Sequence, residues 1–299
     1  MLESQDLTNL SIPLPDGRRL GYAELGDEHG RPLFFFHGTP GSRLVLSERD
    51  AIAQIEGVRL ILPERPGYGV SDPKPDRTLV GWADDVAALA DHLGVERFAV
   101  AGVSGGGPHA LACAARLPER VTAVLLLASP SPAGFRGVTR GMSFGNRIGL
   151  LLGRFAPGLV RRSIVSFAAS FESDPDRFLD GIARQMSEPD RHLMMAPEVR
   201  EAVARDVREA YRQGGHGHAY DAALAMTSQS WGFDLSAIDV PVYLWHGEVD
   251  ALASRAMAEH LAEALPECKA HFVAGAGHLL TEHDGVVDEF SEALEASAA

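Results

Sequence analysis

Two cysteines in 299 residues, Cys113 and Cys268, are too few for a disulfide framework and lack the paired spacing of a cysteine metal site. Burial is the expected role of both. No apolar run approaches the roughly 20 residues needed to span a bilayer. Met1 to Asp16 has neither a basic region nor an apolar core of the kind that directs export. The expectation is a soluble cytoplasmic protein with no membrane partner. Lysine is missing altogether from 131 to 234, where 13 arginines and 12 acidic residues give +1, so the overall charge of −14 rests on the flanks, which carry −15. Such flanks repel phosphate backbones, and no nucleic-acid partner is expected. Nucleotide-binding glycine loops are lacking too. No Gly-Lys-Ser/Thr follows the glycines at 102–107, and their spacing is not G-x-G-x-x-G.

What the chain does have is 45% hydrophobic and 23% charged residues over a length that can bury one large α/β domain with an insertion. Leu7–Leu14 and Arg18–Leu25, separated by Pro15-Asp16-Gly17, read as an antiparallel pair joined by a turn. Strand-like runs then alternate with helical patterns. Pro32–Phe36 precedes a helix near Arg43–Gln54, and Val58–Leu62 precedes one at Leu79–Leu93. Arg97–Val103 precedes Pro108–Leu117, and Val121–Ala128 is an apolar run suited to the middle of a parallel sheet. Alternation stops at Ser129-Pro130-Ser131-Pro132 and resumes at Val240–Trp245, which leads to a helix near Ala253–Leu265. Ala270–Val273 and a helix near Val286–Glu295 follow. Between the two halves lie about a hundred residues of helical pattern with no strand, resembling a lid, in which Gly214-Gly215-His216-Gly217-His218 reads as a flexible loop. Repeated units of this kind predict right-handed crossovers and a sheet covered by helices on both faces.

The most telling stretch is Ala99 to Pro108, where an apolar strand meets Gly102-Val103-Ser104-Gly105-Gly106 and turns into a helix. It reads as a nucleophile elbow: glycines at 102 and 106, lacking Cβ, let strand and helix approach closely, so that the Ser104 side chain is pushed out toward a substrate. The pentapeptide alone is a weak signal, because a glycine-rich strand-to-helix turn is often structural. The strand before it and the helix after it supply the context that the chemistry needs.

Four further motifs stand just beyond predicted strands in a fixed order around this one: His37-Gly38-Thr39-Pro40-Gly41, Arg65-Pro66-Gly67-Tyr68-Gly69-Val70-Ser71, Gly247-Glu248-Val249-Asp250 and Gly275-Ala276-Gly277-His278. With the elbow they make the chain resemble the α/β-hydrolase family over nearly its whole length, specifically members with a helical cap inserted after the sixth strand. The resemblance implies a mostly parallel eight-stranded sheet, a core from 1–130 and 235–299, and a cap from 131–234. It also implies catalysis by Ser104, Asp250 and His278, in the chain order Ser, Asp, His. Ser104 is then the nucleophile, His278 the base, and Asp250 the group that orients the imidazole; Glu248 competes with Asp250, and the family spacing favours Asp250. Ser254 stands where many relatives carry proline. By the same analogy, the oxyanion hole is formed by the backbone N–H groups of Thr39 and Gly105. Serine at the elbow, rather than aspartate, excludes the usual epoxide hydrolase and dehalogenase mechanisms.

Each candidate also has a plainer reading. His37 is expected to hold the loop that presents Thr39, and His109 either lines the pocket or bonds a neighbour beneath the sheet. His216 and His218, with Asp221 nearby, make a poor metal set and read as surface. The cap is expected to set specificity, with Phe135, Phe144, Phe167, Phe171, Met194, Met195, Met226 and Trp231 as the pool for pocket lining, most of them serving as cap core instead. Between Phe135 and Phe171 there are six arginines, Arg136, Arg140, Arg147, Arg154, Arg161 and Arg162, and no acid. These either attract an anionic substrate or, more plainly, pair with acids elsewhere on the protein. The expected activity is cofactor- and metal-independent hydrolysis of a carboxylic ester, lactone or related acyl bond of a small, largely apolar molecule, by a monomer or homodimer. The alternatives are other reactions of the same triad (thioesterase, acyltransferase, perhydrolase, carbon–carbon bond hydrolase) or a ligand-binding protein with little turnover.

Overall fold

Apolar runs that are continuous rather than alternating belong in a sheet covered on both faces, and that is where they lie. The computed structural model describes residues 7–47, 49–142, 144–226 and 230–297. Its eight strands are β1 (Leu10–Pro13), β2 (Arg19–Gly26), β3 (Arg31–Phe36), β4 (Val58–Pro63), β5 (Phe98–Val103), β6 (Val121–Leu127), β7 (Val242–Gly247) and β8 (Cys268–Val273). They form one sheet in the order β1-β2-β4-β3-β5-β6-β7-β8. β2 pairs antiparallel with β1 and β4, and every other pairing is parallel.

Two apolar layers sandwich this sheet. One packs Phe34, Phe36, Val100, Val124 and Leu244 against helices α1 (Leu79–His92), α2 (Gly107–Arg116) and the helix Arg255–Ala264. The other packs Phe35, Ala101, Leu125 and Trp245 against the C-terminal helix Asp284–Ala296. Alternate residues of each strand go to opposite layers, as the two-residue period of a strand requires. α1 starts where Thr78 Oγ1 accepts from Gly81 N at 3.0 Å, a side-chain N-cap.

Between β6 and β7 the chain forms only helices among the described residues. These are α3 (Phe144–Phe155), α4 (Pro157–Ser173), α5 (Pro175–Ala183), α6 (Glu188–Leu193), α7 (Pro197–Ala210) and α8 (His216–Asp221), with a π-helical turn at Ala222–Met226 and a 3-10 turn at Leu235–Ala237. α4, α5 and α6 carry proline in the first turn, where its missing N–H costs nothing. The insertion has its own apolar core of Phe171, Phe178, Leu179, Met194, Val207 and Tyr211. After it come α9 (Arg255–Ala264) and α10 (Asp284–Ala296). No helix among the described residues is long and apolar enough to cross a membrane.

Two expected elements come out differently. The helix foreseen at Arg43–Gln54 shrinks to a single 3-10 turn at Ala51–Gln54. Polar bonds occupy the chain instead: Arg43 is buried with its guanidinium on Thr8 O, Asn9, Glu64 and Glu209, and Ser47 Oγ donates to Asp50 at 2.6 Å. The glycine-rich stretch at 214–218 is not a loose loop. Gly215 and Gly217 are buried, and α8 begins at His216, because this chain must pass close against the sheet's Arg65–Ser71 loop.

Candidate active site

Ser104 follows β5 directly and opens a 3-10 turn, Ser104–Gly106, that runs into α2. Its φ is 51°, a left-handed conformation that a side chain adopts at a cost of about 1–3 kcal/mol and keeps only where the surroundings impose it. The surroundings do so here. Gly102, on β5, has Gly106 against it so closely that a Cβ would fall 2.5 Å from the Gly106 carbonyl. Ser104 is half-buried, and among the described residues no hydrogen bond ties down its Oγ.

The loop after β3 lies against this turn. A Cβ on Gly38 would be 3.6 Å from Ser104 Cβ, and one on Gly105 would meet Thr39 Oγ1 at 2.2 Å and Thr39 N at 3.4 Å. Thr39 and Gly105 are therefore in contact, and glycine is required at 105. Arg65, fully buried, braces the loop from below. It donates to the carbonyls of His37 (2.6 Å) and Gly38 (2.7 Å), to Thr39 Oγ1 (3.1 Å) and to Asp221 (2.7 Å). Asp221 also accepts from Arg77 (2.7 Å) and Tyr68 (2.9 Å). Burial works against its charge, but Arg65 and Arg77 hold the carboxyl far below the usual carboxylate range.

On the far side of β6, His278 Nδ1 donates to Asp250 Oδ2 at 2.7 Å. Asp250 Oδ1 accepts from the backbone N–H groups of Leu252 (2.8 Å) and Ala253 (3.0 Å), so both oxygens are fixed. The bond to Nδ1 places the remaining lone pair of the neutral ring on Nε2. Burial opposes protonation of His278, yet the charge and hydrogen bond of Asp250 outweigh it and raise its affinity for a proton above that of an ordinary histidine. Glu248 takes no part; it pairs with Arg255 at 2.7 Å. Ser254 is buried and its Oγ donates to Val138 O at 3.3 Å.

The other residues singled out from the sequence are scattered. His37 Nδ1 donates to Gly38 O (2.8 Å) and its Nε2 accepts from Arg65 N (3.2 Å), a ring kept neutral by burial and by Arg65. His109 Nδ1 donates to Gly105 O at 2.9 Å, and burial with Arg65 presses its pKa down to about 3. Met194 lies in the insertion's own core with Phe171, and Trp231 packs in the main core beside α1 and α2. Phe135 stacks on the His260 ring at 4.2 Å. Phe144 is 79% exposed on α3, and Met195 and Phe167 are exposed as well. The Met226 side chain lies outside the described residues. His218 accepts from Tyr211 Oη at 2.9 Å, and no group of three metal-ligating side chains occurs among the described residues.

The arginines correct the plainer expectation. Among the described residues, Arg136, Arg140, Arg147, Arg161 and Arg162 form no ion pair, and Arg161 instead lies over the Tyr220 ring at 5.1 Å; the Arg154 side chain lies outside the description. Sequence reasoning also passed over the polar ties of Arg77 and Asp190 and saw Asp221 only as a possible ligand. Their partners are far along the chain, so no local spacing marks them.

Comparison with known proteins agrees with this architecture. The family model described as "alpha/beta hydrolase fold" matches residues 31–283. The AB hydrolase superfamily protein YisY of Bacillus subtilis is 27% identical over 84% of this chain and 85% of its own length. A bifunctional esterase/perhydrolase of Acinetobacter calcoaceticus is 28% identical over 80% of this chain and 81% of its own length. Among solved structures, an esterase from Exiguobacterium antarcticum superposes with a TM-score of 0.70 at 19% identity, covering 97% of this chain and all of that one. With sheet order, strand-end motifs and family model in agreement, the chain belongs to the alpha/beta hydrolase family.

Proposed function

We propose that this protein is a serine hydrolase that cleaves a carboxylic ester or related acyl bond of a small, largely apolar substrate through an acyl-enzyme. In this reading Ser104 Oγ attacks the acyl carbon while His278 Nε2 takes its proton. The N–H groups of Thr39 and Gly105 receive the charge that develops on the acyl oxygen. His278 then returns the proton to the leaving alcohol, and water repeats the sequence on the acyl-enzyme. Asp250 holds the imidazole tautomer and balances the imidazolium. Residues 131–234 act as a cap over the core of 1–130 and 235–299.

The observation that carries the reading is the 2.7 Å bond from His278 Nδ1 to a fixed Asp250, which leaves Nε2 as the basic atom. The left-handed backbone at Ser104, beside Thr39 and Gly105, supports the elbow and oxyanion roles. Among the described residues Ser104 Oγ makes no hydrogen bond, and bonds between nucleophile and base are often long until substrate binds. The esterase/perhydrolase relative favours ester chemistry and leaves hydrogen peroxide as a second acyl acceptor for the same groups.

The test pairs a fluorophosphonate probe with p-nitrophenyl esters of rising chain length. The wild type should be labelled and turn over the esters. Ser104→Ala should lose the label, and its kcat should fall by about a thousandfold or more. Labelling that persists in Ser104→Ala would refute the nucleophile. Peracid formation from an ester and hydrogen peroxide separates the perhydrolase variant from simple hydrolysis.

A further inference from the structure

The loop that bears the imidazole is held from outside the sheet. Asp190 sits in α6, 88 residues before His278, and has no exposed surface. Its Oδ1 accepts two backbone N–H groups, from His278 at 2.7 Å and from Leu279 at 2.9 Å. Its Oδ2 accepts from Ser187 Oγ at 2.6 Å. The approach is so close that a Cβ on Gly277 would stand 2.1 Å from Asp190 Oδ2 and 2.2 Å from Ser187 Oγ. Glycine at 277 is thereby required by the insertion, and not only by the turn before His278.

Among the described residues these three donors are the partners of Asp190, and no arginine or lysine pairs with it. A buried carboxylate without a cation is costly, so a contact that merely glued the insertion to the sheet would be served better by an ion pair or an apolar side chain. Here both N–H groups belong to one short loop, and that loop carries the base. We propose that Asp190 is a positioning residue: it fixes the His278–Leu279 backbone and makes seating of the helical insertion a condition for a competent base. This rests on the reading of His278 as the general base.

Three ionisable groups face the imidazole. Asp250 and His246 come from β7 and the loop after it, and Asp190 comes from α6. His246 is buried and kept neutral, mainly by that burial, with its Nε2 on Ala253 O at 2.9 Å. Asp250 and Asp190 are the two negative charges, and both favour the imidazolium that forms when the base takes the serine proton.

Two variants separate position from bulk stability. Asp190→Asn keeps an oxygen for both N–H groups and, with Ser187 Oγ turned to accept, keeps the third contact while removing the charge. The expected result is serine-dependent turnover that falls far less than in an alanine variant, with the acid limb of kcat/KM moved to lower pH. Asp190→Ala leaves both N–H groups unpaired, and kcat for p-nitrophenyl butyrate should fall on the order of ten- to a hundredfold while KM stays within about threefold. If that variant fails to fold, Ser187→Ala replaces it, with a loss in kcat of about threefold or more expected from freeing one carboxylate oxygen. A kcat of Asp190→Asn as low as that of the alanine variant, or a kcat unchanged in the alanine variant used, overturns the proposal. Wild-type enzyme without Ser104-dependent labelling and turnover would instead bring down the hydrolase reading itself.

Discussion

One buried histidine differs from the others in the direction of its proton affinity. Burial alone disfavours the imidazolium, and it lowers the proton affinity of His37, His109, His218 and His246. His278 is equally enclosed but shifts the other way, because Asp250 lies 2.7 Å from its Nδ1. With His278 as the proposed base, the sign for catalysis follows. A base must be neutral to act, so activity is lost as pH falls through a pKa raised above the ordinary value of about 6.5. The acid limb of kcat/KM for a neutral ester should therefore have its midpoint above about pH 6.5, as read from initial rates between pH 5 and 9. A limb centred below that value would mean that Asp250 does not govern the ring. Asp250→Asn should cost on the order of ten-thousandfold in kcat, since the amide favours the wrong tautomer. Position 278 was legible in the chain because it follows the last strand directly after Gly275-Ala276-Gly277; the family spacing already favoured Asp250 over the rival acid, Glu248, whose bond to Arg255 now shows where it is engaged.

Helices of the insertion are bound to the sheet by acids. Asp190 holds the His278 loop, Asp206 accepts from Ser42 N and Oγ at 2.7 and 2.6 Å, Glu209 pairs with Arg43 at 2.6 Å, and Asp221 pairs with Arg65 and Arg77. Pairing thus runs from acids of the insertion to cations and N–H groups of the core, the reverse of what composition suggested. Strands and helices with a strong apolar period were readable because each depends on its own neighbours in the chain. These ties were not, because partners such as Arg65 and Asp221 are 156 residues apart and neither shows any periodicity. The same ties explain the missing helix after Arg43 and the ordered α8. Removing Asp221 leaves Arg65 and Arg77 buried without a counter-charge, and Asp221→Ala should lower the unfolding free energy by about 3–5 kcal/mol. Its pH signature has a definite sign. A carboxyl depressed in the folded state contributes its full stability above the unfolded value of about 4, and that contribution is lost as pH falls below it. Urea denaturation of wild type and variant at pH 7 and pH 3 measures both effects; a variant with an unchanged midpoint at pH 7 would show that the network carries no stability.

Across the molecule, charge and apolar surface are divided in the same place. The flanks carry −15 while 135–171 holds six arginines and no acid until Glu172. Seven of the ten exposed large hydrophobic residues among those described, from Phe144 to Phe167, lie on this same stretch. Asp190, Asp206, Glu209 and Asp221 of the insertion are committed to the core, whereas Arg136, Arg140, Arg147, Arg161 and Arg162 form no ion pair among the described residues. Clefts along α4 are lined by Arg161 and Arg162 together with Gly158, Val165 and Tyr220. Exposed cations next to apolar surface attract a ligand that has both a negative group and an apolar body, and the attraction is screened by salt. Replacing Arg161 and Arg162 together by glutamine should lower kcat/KM for a p-nitrophenyl ester bearing a free carboxylate by about three- to tenfold relative to its neutral counterpart. The difference between the two enzymes should shrink on going from about 10 mM to 1 M salt, because the screening length falls from about 30 to 3 Å. If the ratio of the two substrates is the same in both enzymes at low salt, these arginines do not steer the substrate.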